Sequence, residues 1–383
     1  MKKKIRNFAG FQRPSARLRT GFMMFLLAIS NLLSAIDFNL KNNINLKSRI
    51  FSDSQQEYHA SANYRPDLFV TIFGNDRFSI DTEQTLELYY DFRKSDDREN
   101  DEFDLNLYRS WFRFSATQYE VRIGRQKLNF GPAQILRPLK WFDTIDPTDP
   151  QKNSQGTDAL LFRYYFLNNA NFWFWTIDPD NTFQEDNFYQ KTDGYEFGGR
   201  FQYPFQYCEA AITYHHRNLF WNVETPHKFD DEDRFGLDCR WDFQIGLWIE
   251  IMYSKLSNAD STMYSHFFTV GADYTVGIGN GLYILTEHMF YENSYGDFPT
   301  LFQNSSASSC LLTYPIGLFD SVSAMINYDW ITENFFYYAS YSRNYDLISF
   351  YLNFFWNPAY NEYPIPGYNQ DGKSVQLIIE INF

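Results

Sequence analysis

The sequence predicts an all-β chain: a transmembrane, antiparallel up-and-down β-barrel of about eighteen strands, with sixteen as the alternative count. Three observations carry this. Aromatic residues make up 20% of the 383 residues, 40 Phe and 29 Tyr among them, yet mean hydropathy is −0.47. A wall with one lipid face and one wet face gives that combination, and no stretch beyond the N-terminus reaches the ~18 to 20 apolar residues of a membrane helix. Apolar residues recur with a period of two, which places them on one face of a strand. Links between the periodic segments alternate between short and long.

Residues 1–35 read as a cleaved secretory signal. Lys2, Lys3, Lys4, Arg6, Arg13, Arg17 and Arg19 form a basic start, Phe22 to Leu33 is apolar apart from Ser30 and Asn31, and Leu33-Ser34-Ala35 offers a cleavage site. Losing those seven positive charges takes the formal net charge from −14 to −21. So acidic a chain excludes nucleic acid and anionic lipid headgroups as expected partners. The three cysteines, Cys208, Cys239 and Cys310, are odd in number and lack CxxC spacing, so neither a disulfide framework nor a metal site is expected.

Residues 36–383 form one barrel domain. Phe235, Leu237, Cys239, Trp241 and Phe243 alternate with Gly236, Asp238, Arg240 and Asp242. Val322, Ala324, Ile326, Tyr328 and Trp330 alternate with Ser323, Met325, Asn327 and Asp329. A soluble sandwich gives the same alternation with the greasy face as its core, so the links must decide. Short links fall at Gly74–Asn75, Ala116–Gln118, Asn168–Asn169, Pro204–Phe205, Gln244–Gly246, Gly277–Asn280, Pro315–Gly317 and Arg343–Tyr345. Longer ones fall at Ser52–Gln56, Arg93–Asp101, Phe130–Gly156, Pro179–Lys191, Asn218–Glu232, Leu256–Thr262, Glu292–Asn304 and Asn357–Gly372, with a short exception near Ile331–Glu333. Tight turns at one end and larger loops at the other are the mark of a membrane barrel. The second strand, around Asp67–Phe73, is the weakest of the set. Acidic runs at Asp96–Glu102 and Asp230–Asp233 read as solvated loop. Trp173, Trp175, Trp221, Trp330 and Trp356 read as interface girdles.

Two stretches resemble known families. Val375, Leu377, Ile379, Ile381 and Phe383 share one face. This resembles the terminal strand of Gram-negative outer-membrane barrels, which implies that Phe383 is an assembly signal read by the barrel-assembly machinery. The links make Phe130–Gly156 the third outer loop. The arrangement resembles general porins, in which that loop folds inward and sets the pore size. Gly124-Arg125-Gln126, Asn129-Phe130-Gly131, Arg137-Pro138, Trp141-Phe142-Asp143 and Asp146-Pro147 are also similar to the Gly-Arg-Gln segment of porin-like and alginate-export-type barrels, within residues 119–166. The resemblance implies a passive channel for small polar solutes in the outer membrane, possible assembly as a homotrimer, and no cofactor. A substrate-specific barrel for polysaccharide or oligosaccharide is the alternative. A non-conducting structural or surface-binding barrel is the third reading.

The loop itself supports inward folding. Pro132, Pro138, Pro147 and Pro150 stiffen it, and Ile135, Leu136, Leu139, Trp141 and Phe142 need a surface to pack on. Arg137 and Lys140 against Asp143, Asp146 and Asp149 offer opposed charges across a constriction; pairing among themselves, or with Arg122 and Arg163, is the plainer outcome. Parity adds Glu83, Glu87, Glu196, Arg200, Asp238, Arg240 and Glu380 among the lumen-lining residues; acids outnumber bases on the inward rows, so a mild preference for cations or neutral solutes over anions is expected. The same parity places Arg109, Arg113 and Arg125 beside lipid-facing Leu105, Leu107 and Ile123. A bulge in each strand, or a position above the bilayer, would remove the conflict. No nucleophile setting, HExxH or phosphate loop is present, and adjacent His215 and His216 point to opposite faces, so no enzyme is expected.

Overall fold

A computed structural model describes residues 37–52, 58–95, 98–143, 145–178, 188–190, 194, 196–221, 229–257, 262–295, 305–358 and 372–383. The signal segment lies outside the described residues. The rest is one closed antiparallel barrel of 18 strands with no helix among the described residues. In chain order the strands are β1 (Asp37–Phe51), β2 (Tyr58–Gly74), β3 (Phe78–Ser95), β4 (Arg98–Ala116), β5 (Tyr119–Gln126), β6 (Thr157–Tyr165), β7 (Asn171–Ile177), β8 (two stretches, Phe188–Gln190 and Glu196–Pro204), β9 (Cys208–Trp221), β10 (Phe229–Asp242), β11 (Gly246–Ser257), β12 (Thr262–Val276), β13 (Leu282–Tyr295), β14 (Ser305–Pro315), β15 (Asp320–Asp329), β16 (Asn334–Asn344), β17 (Ile348–Trp356) and β18 (Lys373–Asn382). Both stretches of β8 lie against β9. Each strand pairs with its sequence neighbours, and β1 pairs with β18 to close the ring.

Closure settles the choice that alternation left open. A closed single sheet has an inside and an outside but no second sheet to cover its greasy face. The outward rows match the sequence reading: Phe235, Leu237, Val322 and Ile326 are all more than a third exposed. The uncertain second strand is long and continuous, Tyr58–Gly74.

Three expectations are corrected. The Arg93–Asp101 link is no loop, because β3 and β4 run up to each other, with Lys94 opposite Glu99 and Ser95 opposite Arg98. Most of the Asp96–Glu102 run is therefore strand. The Asp230–Asp233 run is strand as well. There Glu232 pairs with Arg217 and Arg234, and Asp233 pairs with His216, so these acids are held in cross-strand ladders. Trp173 and Trp175 face inward rather than toward lipid, Trp175 fully buried, while Trp330 and Trp356 are exposed on the outside; the side chain of Trp221 lies outside the described residues.

The parity conflict has two separate answers. In β4 the register shifts, with Thr85 opposite Arg109 but Leu86 opposite Leu107, so Tyr108 is an extra residue. This bulge flips the alternation and turns Arg109, Trp111 and Arg113 inward. In β5 the register runs on without a shift. Arg125 stays on the face of Ile123, where its guanidinium forms a two-pronged pair with Asp158 of β6, at 3.0 and 2.6 Å.

Candidate functional site: a lumen divided by one loop

Residues 127–156 leave the top of β5 and fold inside the barrel. The first limb is apolar and must find apolar cover. Ala133, Ile135 and Leu136 pack on Trp248, Leu285, Met289 and Met325 of the far wall. Phe130, Leu139, Trp141 and Phe142 pack on Leu161, Trp175 and Met252. Burying side chains of this size stabilises by ~1.5 to 3 kcal/mol each.

Two buried carboxylates hold that limb in register. Glu287 of β13 accepts the backbone N–H groups of Gln134 (2.7 Å), Ile135 (2.9 Å) and Leu136 (2.6 Å), and the indole N–H of Trp248 (3.1 Å). Glu250 of β11 accepts the N–H of Ala133 at 2.7 Å and of Leu139 at 3.3 Å. Successive N–H groups converging on one anion form a nest. The nest satisfies loop donors that no ladder could reach, and it supplies partners to acids only 1% exposed. Gly131 makes the approach possible. Its φ is +90°, and a Cβ there would run into the Glu250 carboxylate.

The second limb is polar and is tethered to the opposite wall. Asp149 pairs with Lys47 of β1 at 3.5 Å. Asn153 accepts from Arg65 of β2 at 2.6 Å. The Ser154 carbonyl accepts from Arg109 of β4 at 2.6 Å. Arg65 and Arg109 each lie 4.3 Å from the ring centre of Tyr108, the bulge residue. Glu87 holds Arg65 from behind at 2.7 Å.

Between this limb and the wall of β1–β4 and β18 lie two polar cavities. One of about 530 Å³ opens toward the long-loop end, among Arg49, His59, Glu102 and Asp104. One of about 650 Å³ opens toward the short-turn end, among Lys41, Asp67, Glu83 and Glu380. Arg65, Tyr108, Gln151 and Asn153 line both. The Arg65–Asn153 bond therefore lies where the two cavities adjoin.

Of the lumen and constriction residues that the sequence singles out, Glu83, Glu87, Asp149 and Glu380 line these cavities, and the others fall elsewhere. Arg137 and Asp143 face each other in a two-pronged pair at 2.6 and 2.8 Å, so they cancel rather than oppose across the lumen. Asp146 accepts from Thr148 within the loop. Burial pushes the Lys140 ammonium below the ordinary lysine range, against the pull of Asp143. Arg122 and Arg163 face inward and share Glu120, at 3.0 and 3.6 Å. Arg200 and Asp238 are a buried two-pronged pair, and Glu196 bonds His215 at 3.0 Å. Arg240 lies between Asp242 (2.8 Å) and Asp273 (3.4 Å). All of these face inward, yet none lines either polar cavity. Arg125 does not face the lumen at all. Gln126 does; it is fully buried and donates to the Ala159 carbonyl at 2.9 Å. Phe383 exchanges backbone bonds with Asn42 across the closing seam, at 2.8 and 3.0 Å.

Sequence reasoning missed Arg65, Tyr108, Asn153 and Glu287. Glu287 sits in a row with Leu285 and Met289, which reads as a lipid row. Its signal was a lone acid in the middle of that apolar row.

At the sequence level no family model matches this chain and no curated protein is similar to it. Solved structures are similar in fold. Acinetobacter baumannii OccAB1 matches with a TM-score of 0.54 at 6% identity, covering 91% of this chain and 97% of that one. Pseudomonas aeruginosa OccK5 (OpdH) matches at 0.52 with 10% identity, covering 91% and 98%. An anion-selective porin from Comamonas acidovorans matches at 0.50 with 13% identity, covering 91% and 100%. The likeness is one of fold.

Proposed function

We propose that this barrel is an outer-membrane channel for passive diffusion of small polar solutes, narrowed by the inward loop. The observation that carries the reading is the pair of polar cavities that meet at Arg65, Tyr108, Gln151 and Asn153. Stacked end to end, they make a route past the second limb, while the first limb packs on the opposite wall. The tight turns then face the periplasm and the long links face outward. The mixed charges along the route, Lys41, Lys47, Arg49, Arg65 and Arg109 with Asp67, Glu83, Glu87, Glu102, Asp104, Asp149 and Glu380, suit polar solutes of either sign. Acids still outnumber bases along it, seven to five, in keeping with the mild preference for cations or neutral solutes expected from the inward rows. Residues 1–35 direct secretion, and Phe383 serves the assembly machinery.

The test is single-channel conductance in a planar bilayer, wild type against a variant lacking residues 135–149. The wild type conducts, and the deletion conducts several-fold more. Block by an oligosaccharide at low concentration would favour a substrate-specific barrel. No conductance from either protein would overturn the channel in favour of a structural or surface-binding role.

A further inference from the structure

A group of polar side chains on the inner wall of β14 and β15 is buried without partners. Asn327 is 0% exposed, and neither its amide nitrogen nor its amide oxygen has a hydrogen bond. Ser309 lies directly opposite it in the ladder, and its hydroxyl is also buried and unbonded. Asp329, two residues on along the same face, is again 0% exposed. Its Oδ1 accepts the N–H groups of Ile331 (2.8 Å) and Thr332 (3.2 Å), but its Oδ2 has no partner. The Thr332 hydroxyl, in the link that leaves β15, is buried and unbonded as well.

Buried polar groups are nearly always bonded, so five such atoms side by side ask for a shared partner. Directly opposed residues stand ~4.5 to 5.5 Å apart at Cβ, and residues two apart on one strand ~6.5 Å. The oxygens of the group can therefore meet at one point between them. The charge asks for the same thing. Among the described residues no Lys, Arg or His pairs with Asp329, whose bonds are the two N–H groups alone. A buried carboxylate is stable only when paired or bound to a metal. Asp329 Oδ2, the Asn327 carbonyl and the two hydroxyls are hard oxygen donors, the set that calcium takes, with water completing its shell.

From this geometry we infer that Ser309, Asn327, Asp329 and Thr332 bind a calcium ion that ties β14 to the link after β15. Ala307 and Met325, next along the same inward rows, belong to the cluster that holds the first limb of the loop. Glu287, the latch of that limb, stands opposite Ser309 on β13. The ion thus braces the wall on which the loop is seated. The inference goes beyond the channel reading and does not require that the barrel conduct. A single free carboxylate oxygen makes the site a weak one, since ligand charge sets calcium affinity.

The probe is calcium chloride, with magnesium chloride as the control for ion size. The full barrel, in nanodiscs of zwitterionic lipid and first stripped with EDTA, is heated at one fixed rate and followed by tryptophan fluorescence. Calcium raises the unfolding midpoint saturably, with half its effect between about 0.1 and 1 mM. Magnesium, which gives up its waters reluctantly, needs at least about tenfold more. Asp329→Asn keeps an acceptor for the two N–H groups and removes the charge; it moves the calcium half-effect upward by at least about tenfold. Asn327→Leu removes both amide atoms at nearly constant size. In EDTA it is as stable as the wild type or more so, and it loses the calcium response. A wild type indifferent to calcium, a magnesium response equal to that of calcium, or an unchanged calcium response in either variant would each overturn the site.

Discussion

The two halves of the lumen are built from the same kind of strand and end up opposite in character. Around β11–β14 the inward rows are Trp248, Met252, Leu285 and Met289, and the loop lies dry against them. Around β1–β4 the inward rows are Lys47, Arg49, Arg65, Glu87 and Arg109, and cavities remain. One loop accounts for both. Its first limb carries the apolar side chains and packs on the wall it touches. Its second limb carries Asp149, Asn153 and Ser154, which meet the opposite wall through polar bonds. The place of the polar cavities therefore follows where the loop's composition changes, between Phe142 and Asp146, and not its length.

That contrast can be broken at the dry side first. Glu287→Ala leaves three loop N–H groups and one indole N–H without their acceptor in a dry site. The expected loss is ~3 kcal/mol or more of loop seating. It is measured as faster protease nicking within residues 130–156 and as open-channel noise absent from the wild type. If nicking and noise stay at wild-type levels, packing alone seats the limb. Gly131→Ala comes next. A non-glycine residue at φ +90° costs on the order of 1 to 3 kcal/mol, and its Cβ displaces the Glu250 carboxylate. A lower midpoint of loop release in the same protease assay checks it, and a fully tolerated alanine would show that Glu250 can move aside. Asn153→Ala is the mildest. It removes one bond at a wet site, worth about 1 kcal/mol. Conductance rises modestly while protease resistance is unchanged, so the wet side sets flow and the dry side sets stability. A variant that lost its resistance would show that both limbs share the seating.

Much of the architecture was legible in the chain. Eighteen strands, the outward rows, the turn positions and the inward loop all follow from period two, proline, glycine and aromatic placement. What was not legible lies where one face carries mixed signals. Parity assigns greasy rows to lipid, and this holds for Phe235 and Val322. It fails for Leu285 and Met289, because the loop gives the inside of the barrel a second dry surface. Glu287 was invisible for the same reason. Arg65 and Asn153 are 88 residues apart, and no local pattern links them. The Tyr108 bulge was anticipated only as a conflict between Leu107 and Arg109, and its role in aiming a ring between two guanidiniums needed the register. The charged pair Arg137–Asp143 shows the opposite lesson: six residues apart in a proline-stiffened turn, the two had each other as the nearest partner all along.

The seam between β1 and β18 has a consequence for how such a ring is made. Every other strand pair joins neighbours in the sequence, so the sheet can grow one hairpin at a time with short closures. The seam joins residues 339 apart, Asn43 to Asn382. Bringing such distant segments together from a flexible chain costs about 5 kcal/mol in closure entropy, but a sheet already curved by seventeen strands has spent most of that in small steps. Until the last strand is laid down, two ribbon edges stand open, each a template for a neighbouring chain. The ring is thus exposed at both edges until its last strand, Lys373–Asn382, pairs with its first.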